Sequence, residues 1–177
     1  GVRTTYDALG RVTTVHQNSE LDGVMGPLLT SHEYVADGDG SYLLTTNPRQ
    51  EQTRTWFQAF DRPGTDSPIR IAHPEGAFTD IDRDAFGKIL ALTRRDAEGT
   101  QSVTRRYVYN AHQQLCKTIE PETGSTVMAY DPAGNLAWTA SGLDLPATDS
   151  CNLASVPVDQ RVLRQYDVRN RLEVLDF

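Results

Sequence analysis

Residues 4–15 read TTYDALGRVTTV: two runs of strand-forming Thr, Tyr and Val on either side of Asp7-Ala8-Leu9-Gly10. An Asp at the first position of a type I turn accepts backbone N–H groups from inside the turn, and a Gly at the fourth takes the left-handed φ of a G1 bulge. The stretch is therefore a hairpin bend. Its kin recur along the chain, and their recurrence decides the fold class.

Tyr130-Asp131-Pro132-Ala133-Gly134-Asn135 is a second full copy of Tyr6-Asp7-Ala8-Leu9-Gly10-Arg11, with Pro132 at the favoured second turn position. Tyr166-Asp167-Val168-Arg169-Asn170-Arg171 is a third, with Asn170 in place of Gly. Arg83-Asp84-Ala85-Phe86-Gly87-Lys88 and Tyr109-Asn110-Ala111-His112-Gln113-Gln114 are partial copies. Weaker ones begin at Tyr34 and at Phe57, the latter with Asp61 among its residues. First positions at 6, 34, 57, 83, 109, 130 and 166 lie 21 to 36 residues apart, the length of one long hairpin and its connection. Gln113 is a poor left-handed residue, so that hairpin is expected to be looser or to use another turn.

Between these bends lie runs such as RVTTVH, SYLLTT, QTRTWFQ, KILALTR, SVTRRYVY, STVMAY and RVLRQY. They have strand composition, and no ten-residue helix is supported. Over 106–120 the β-branched and aromatic content favours a hairpin above a helix. Neither face of SVTRRYVY is cleanly apolar, which suits a sheet wet on both faces or bordering a large cavity. The fold expected is all-β: successive antiparallel hairpins in one open, twisted sheet over residues 1–177. Two stretches break the rhythm: 17–30, a loop entering a strand, and 142–159, a Pro-containing surface insertion. The insertion is the place expected for mobility or a partner contact.

Bulk properties narrow the function. The 177 residues carry 17 Lys and Arg against 24 Asp and Glu, a net charge of −7, with no basic cluster. That balance disfavours nucleic acid and anionic membrane surfaces. A mean hydropathy of −0.50 is more polar than is usual for a compact enzyme of this size, and no apolar run approaches the roughly 20 residues that a spanning helix needs. No signal peptide is legible, and any export signal is expected upstream. Cys116 and Cys151 read as two unpaired thiols, with a disulfide the alternative in an oxidising compartment; nothing in their spacing predicts adjacency.

The motifs YDALGRV, YDPAGNLAWT and YDVRNRLEV, supported by NPRQEQTRTWFQAFDRP, RDAFGKILALTR and YNAHQQLCKTIEP, resemble the RHS or YD-repeat family over nearly the whole chain. The resemblance implies large secreted or cell-surface proteins: bacterial toxin shells, including insecticidal toxin complexes, and the teneurin adhesion receptors of animals. It implies a strip of hairpins spiralling into a hollow shell around a C-terminal toxin. The chain would be a segment of such an array, continuing past both ends, with neighbouring repeats and a toxin cargo as partners. Family shells cleave themselves at a DPxGL-type motif. Asp131-Pro132-Ala133-Gly134-Asn135 has Asn where that motif has Leu, and reads as an ordinary turn.

Other residue groups read as structure. Asp80, Asp82 and Asp84 alternate as on a calcium loop, but Ala85 and Ala91 stand where an EF-hand needs Gly and Glu. A solvated strand face is expected, and the same holds for DGDG at 37–40. His16, His32, His73 and His112 lack ligand spacing, and His112 is separated from Cys116 by a turn. Trp56, Trp138 and the seven Tyr read as cross-strand packing, with a glycan-stacking surface as the alternative. No cofactor, metal or active site is assigned. Tyr6, Asp7, Gly10, Asp84, Gly87, Tyr130, Asp131, Gly134, Tyr166, Asp167 and Asn170 are expected to be turn residues of a non-catalytic shell segment. Two open edges invite self-association.

Overall fold

The computed structural model describes residues 1–18, 27–38, 40–58 and 64–177. Fourteen strands follow one another: β1 Val2–Tyr6, β2 Val12–Asn18, β3 Pro27–Asp37, β4 Gly40–Thr46, β5 Gln52–Phe57, β6 Pro68–Ala72 and β7 Phe78–Arg83. After them come β8 Ile89–Arg95, β9 Ser102–Tyr109, β10 Leu115–Glu120, β11 Gly124–Tyr130, β12 Leu136–Leu143, β13 Val162–Tyr166 and β14 Leu172–Asp176. They hydrogen-bond in sequence order as one open antiparallel sheet. The all-β hairpin fold read from the turns is the fold found. The chain divides into two compact units, Gly1–Ile81 with Arg94–Ser102, and Asp82–Thr93 with Val103–Phe177.

Among its described residues the first unit buries Ile81 alone. Its strands hold together through cross-strand pairs: Tyr42 faces Trp56 with ring centroids 5.3 Å apart, and the Arg95 guanidinium lies 4.3 Å over the Phe78 ring. Such pairs substitute for a thick core.

The second unit has a small apolar core. Val127, Ala140, Leu143 and Val156 are buried together, with Trp138 and Leu145 packed against them. Val127 and Ala140 face each other across β11 and β12. Val156 comes from the connection 144–161, which folds back as two single 3-10 turns, Leu153–Ser155 and Val158–Gln160. The insertion read as 142–159 therefore starts later, because Leu143 still pairs with Ser125 in the sheet.

One further expectation is corrected. Tyr34 opens no turn: it lies inside the eleven-residue β3, opposite Leu43. Among the described residues after it none takes a left-handed φ before Gly40, at 98°, and β3 stays paired with β4 as far as Asp37. Phe57 ends β5, and the chain closes again where the Gln58 N–H donates to the Ser67 carbonyl, 2.8 Å. Residues 59–63, Asp61 among them, lie outside the described residues, as do 19–26 of the first loop and Asp39 of DGDG.

Candidate functional site

The recurring bend has one geometry. In 131–134 the Gly134 N–H donates to the Asp131 carbonyl at 3.0 Å, and the Asp131 N–H donates to the Asn135 carbonyl at 2.9 Å. Asp131 Oδ1 accepts the N–H groups of Ala133 and Asn135 at 2.9 and 2.8 Å. Asp7, Asp84 and Asp167 repeat this pattern with Gly10, Gly87 and Asn170 at φ of 76°, 82° and 58°. The register slips by one residue at Tyr6, Tyr130 and Tyr166, the signature of a G1 bulge. These hydrogen bonds hold the carboxyls of Asp7, Asp131 and Asp167 below the ordinary aspartate value of 3.8. For Asp7 and Asp167 the Arg11 and Arg171 N–H groups do most, and for Asp131 the Asn135 side chain. Asp131 is thus a satisfied turn acceptor.

Gln113 departs from the expectation set for it. It takes φ 63° and closes the same turn, its N–H 2.9 Å from the Asn110 carbonyl. Asn110 Oδ1 accepts two backbone N–H groups and overrides the poor fourth residue. Three turns that the sequence reading passed over also belong: Asn47–Gln50, His73–Gly76 and Asp96–Gly99. Each has a polar first residue and a left-handed fourth, but no tyrosine before it.

The tyrosines have a separate task. Tyr109 Oη donates to the Ile89 carbonyl at 3.0 Å, Tyr130 Oη to Leu115 at 2.8 Å, and Tyr166 Oη to Leu136 at 3.1 Å. In each case the acceptor is the first residue of the strand before the tyrosine's own. Each hydroxyl fastens its hairpin to the preceding one. Burial raises the pKa of Tyr109 and Tyr130, keeping both phenols protonated donors. The residue after each bend joins that bend to the next: Lys88 Nζ donates to the Gln113 carbonyl, and Asn135 Nδ2 donates to Asn170 Oδ1 at 3.0 Å. Gln114 lies beside Gly134 in the same relation, its amide 3.4 Å from where a Cβ would stand.

A buried polar cluster lies where the insertion folds back onto β10. Cys116 and Cys151 form a disulfide with Cα atoms 5.3 Å apart, correcting the reading of two free thiols. Lys117 is fully buried, and its Nζ donates to Pro146 O, Thr148 O and Asn152 Oδ1 at 3.2, 2.8 and 2.6 Å. Strict alternation would send Cys116 and Lys117 to opposite faces. A bulge in β10 between Leu115 and Lys117 lets both serve the insertion. Three oxygens around one ammonium satisfy all its donors, while desolvation lowers its pKa. Arg161 adds a bond to the Val156 carbonyl, 2.6 Å, and lies 4.4 Å over Trp138. The insertion, the place expected for mobility or a partner contact, is tied down by the disulfide, by Lys117 and by Arg161.

The remaining candidates do not converge. Asp80 is half-buried, not on an open face. Desolvation raises its pKa, but hydrogen bonds from Arg70 and Arg95, 2.6 and 2.8 Å, outweigh that and hold it low. Asp82 is exposed and Asp84 caps its turn. His32 and His73 hydrogen-bond Thr45 and Thr79 at 3.1 and 2.9 Å. Among the described residues no three of His, Cys, Asp and Glu gather to hold a metal ion, and no helix is long and apolar enough to cross a membrane.

One open sheet of successive antiparallel hairpins, locked bend to bend in the second unit, defines a hairpin-repeat fold. Solved structures share that fold. The crystal structure of TcdB2-TccC3-Cdc42 matches with a TM-score of 0.61 and 11% identity over 99% of this chain. That of TcdB2-TccC3-TEV gives 0.58 and 12% over 97%. The Photorhabdus luminescens Tc holotoxin pore with a mutated TccC3 gives 0.62 and 13% over 98%. The chain spans 9% of the length of each. No protein-family model matches the sequence, and none of the curated proteins does.

Proposed function

We propose that the chain is a non-catalytic wall segment of an RHS/YD-repeat shell that encloses a polypeptide cargo, a C-terminal toxin or effector. The observation that carries this is the run of hairpins fastened in series by tyrosine hydroxyls, in a fold shared with chains of Tc toxin structures. Such a wall acts by burial: the backbone is consumed in pairing and the faces screen what lies behind. The disulfide supports a secreted or cell-surface setting, since such bonds persist in oxidising compartments. Limited proteolysis of the longest natural polypeptide containing this segment tests the reading. A C-terminal fragment that resists protease until the repeat region is opened supports it. A fragment cut as fast as the free cargo overturns it.

One observation favours an adhesion or glycan-binding role instead. A groove of about 470 Å³ beside Trp56 is lined by Gln50, Gln52, Arg54, His73 and Phe78, an aromatic wall with polar groups at its rim. Selective binding on a glycan array, lost in Trp56→Ala, would establish that role.

A further inference from the structure

We infer that Lys117 and Asn152 are a self-cross-linking pair: the lysine amine attacks the asparagine side-chain amide, an isopeptide bond forms between Nζ and Cγ, and ammonia leaves. The inference stands on the place where the insertion meets β10. Two neighbouring residues of the strand meet two neighbouring residues of the insertion there. Cys116 and Cys151 are joined by the disulfide, and beside them Lys117 Nζ donates to Asn152 Oδ1 at 2.6 Å. A carbonyl bond is about 1.23 Å long, so Nζ stands within about 3.8 Å of the Asn152 Cγ. Reacting atoms about 3–3.5 Å apart make a near-attack pair, and holding them so replaces a chance encounter by an intramolecular step. The disulfide next door does the holding.

The surroundings leave the amide to the lysine. Asn152 precedes the 3-10 turn Leu153–Ser155, a position from which an asparagine side chain ordinarily caps a helical turn. It makes no such bond and turns to Lys117 instead. The other neighbours of Nζ, the Pro146 and Thr148 carbonyls, can only accept. The resting ammonium gives one N–H to each of the three oxygens. Once it releases a proton to solvent, its two remaining N–H groups can keep both backbone carbonyls, and the lone pair faces the Asn152 side chain. Lys117 is fully buried, and desolvation favours that release, lowering its pKa against the opposing pull of the Asp149 charge.

The step balances without oxidant, reductant or cofactor. Nζ adds to Cγ, one Nζ proton passes to Nδ2, and the Cγ–Nδ2 bond breaks. The chain loses one ammonia and no electrons change hands. The new amide closes the same loop as the disulfide, one residue along, and thiols do not open it. The insertion then stays tied to the sheet where the disulfide is reduced.

Mass mapping of the chain, fresh from neutral buffer and again after ageing at pH 9, tests this. Fresh protein holds the ammonium and carries the disulfide alone; ageing should take one ammonia from its mass. After reduction, trypsin should then fail to cut behind Lys117. Endoproteinase Glu-C, which cuts after Glu122, should leave the two sides joined. Aged protein should keep its melting temperature on reduction, where fresh protein loses stability. Lys117→Met and Asn152→Ala should each retain the mass of their sequence. Full mass in the aged parent overturns the inference, whatever the variants do. Ammonia lost with the two fragments separate also overturns it, since that marks a succinimide at Asn152-Leu153. Joining that survives either substitution does the same.

Discussion

Replacing both cysteines, Cys116→Ala with Cys151→Ala, should cost the second unit most of its margin of stability. The bond closes a loop across 35 positions, and releasing a loop of that length returns about 4 kcal/mol of chain entropy to the unfolded state at 25 °C. Cys116 is almost wholly buried beside Lys117, so the sulfur's packing is lost as well. In a chain of this size 4 kcal/mol lowers the melting temperature by on the order of 10 °C. Thermal melts of the variant and of the parent with and without reductant measure it. The variant and the reduced parent should coincide, both well below the oxidised protein. Curves that agree within about 2 °C in all three states would refute the reasoning, since the insertion would then be ordered without its cross-link.

Lys117→Met, which takes away the donor shared by Thr148 O, Asn152 Oδ1 and Pro146 O and leaves only the last with another, the Thr148 N–H, should cost about 2–4 kcal/mol in a urea titration. Gly124→Ala should cost at least about 2 kcal/mol by the same assay, because φ is +79° there and a Cβ would meet the Leu143 carbonyl at 2.8 Å. Tyr130→Phe removes the hydroxyl bonded to Leu115 and should cost about 1 kcal/mol. The turn aspartates set an acid limit. Asp7, Asp131 and Asp167 have folded pKa values below 3.8, so the unfolded chain binds protons first. Their stabilisation is complete well above pH 3.8 and lost as pH falls through the folded values. Asp167→Asn keeps the acceptor and drops the charge, so melting temperature followed from pH 5 to pH 2 should fall less steeply than in the parent.

The hairpin fold was legible because a left-handed residue four places into a bend is a chemical demand that only a few side chains meet. Where that demand is met by other means, sequence reading slips. Gln113 looked wrong in isolation because its tolerance comes from Asn110, whose side chain closes the turn. Tyr34 carried the aromatic cue without a turn, and its pairing with Leu43 of β4 kept it extended. Cys116 and Lys117 were opaque because one bulge re-aims them, and bulges leave no mark on an alternation pattern. Tyrosine before the bend was visible as a repeat, but its role depends on a carbonyl 15 to 30 residues earlier.

In the second unit, bends 84–87, 110–113, 131–134 and 167–170 all have four residues. Connections at the other strand ends run from three residues, 121–123, to eighteen, 144–161. One margin is thus a fixed seam, where inserting a residue would break contacts on both neighbouring bends. The other is where length can be gained: a lineage could acquire a new loop there, or an engineer an epitope, and leave the pairing of the strands untouched.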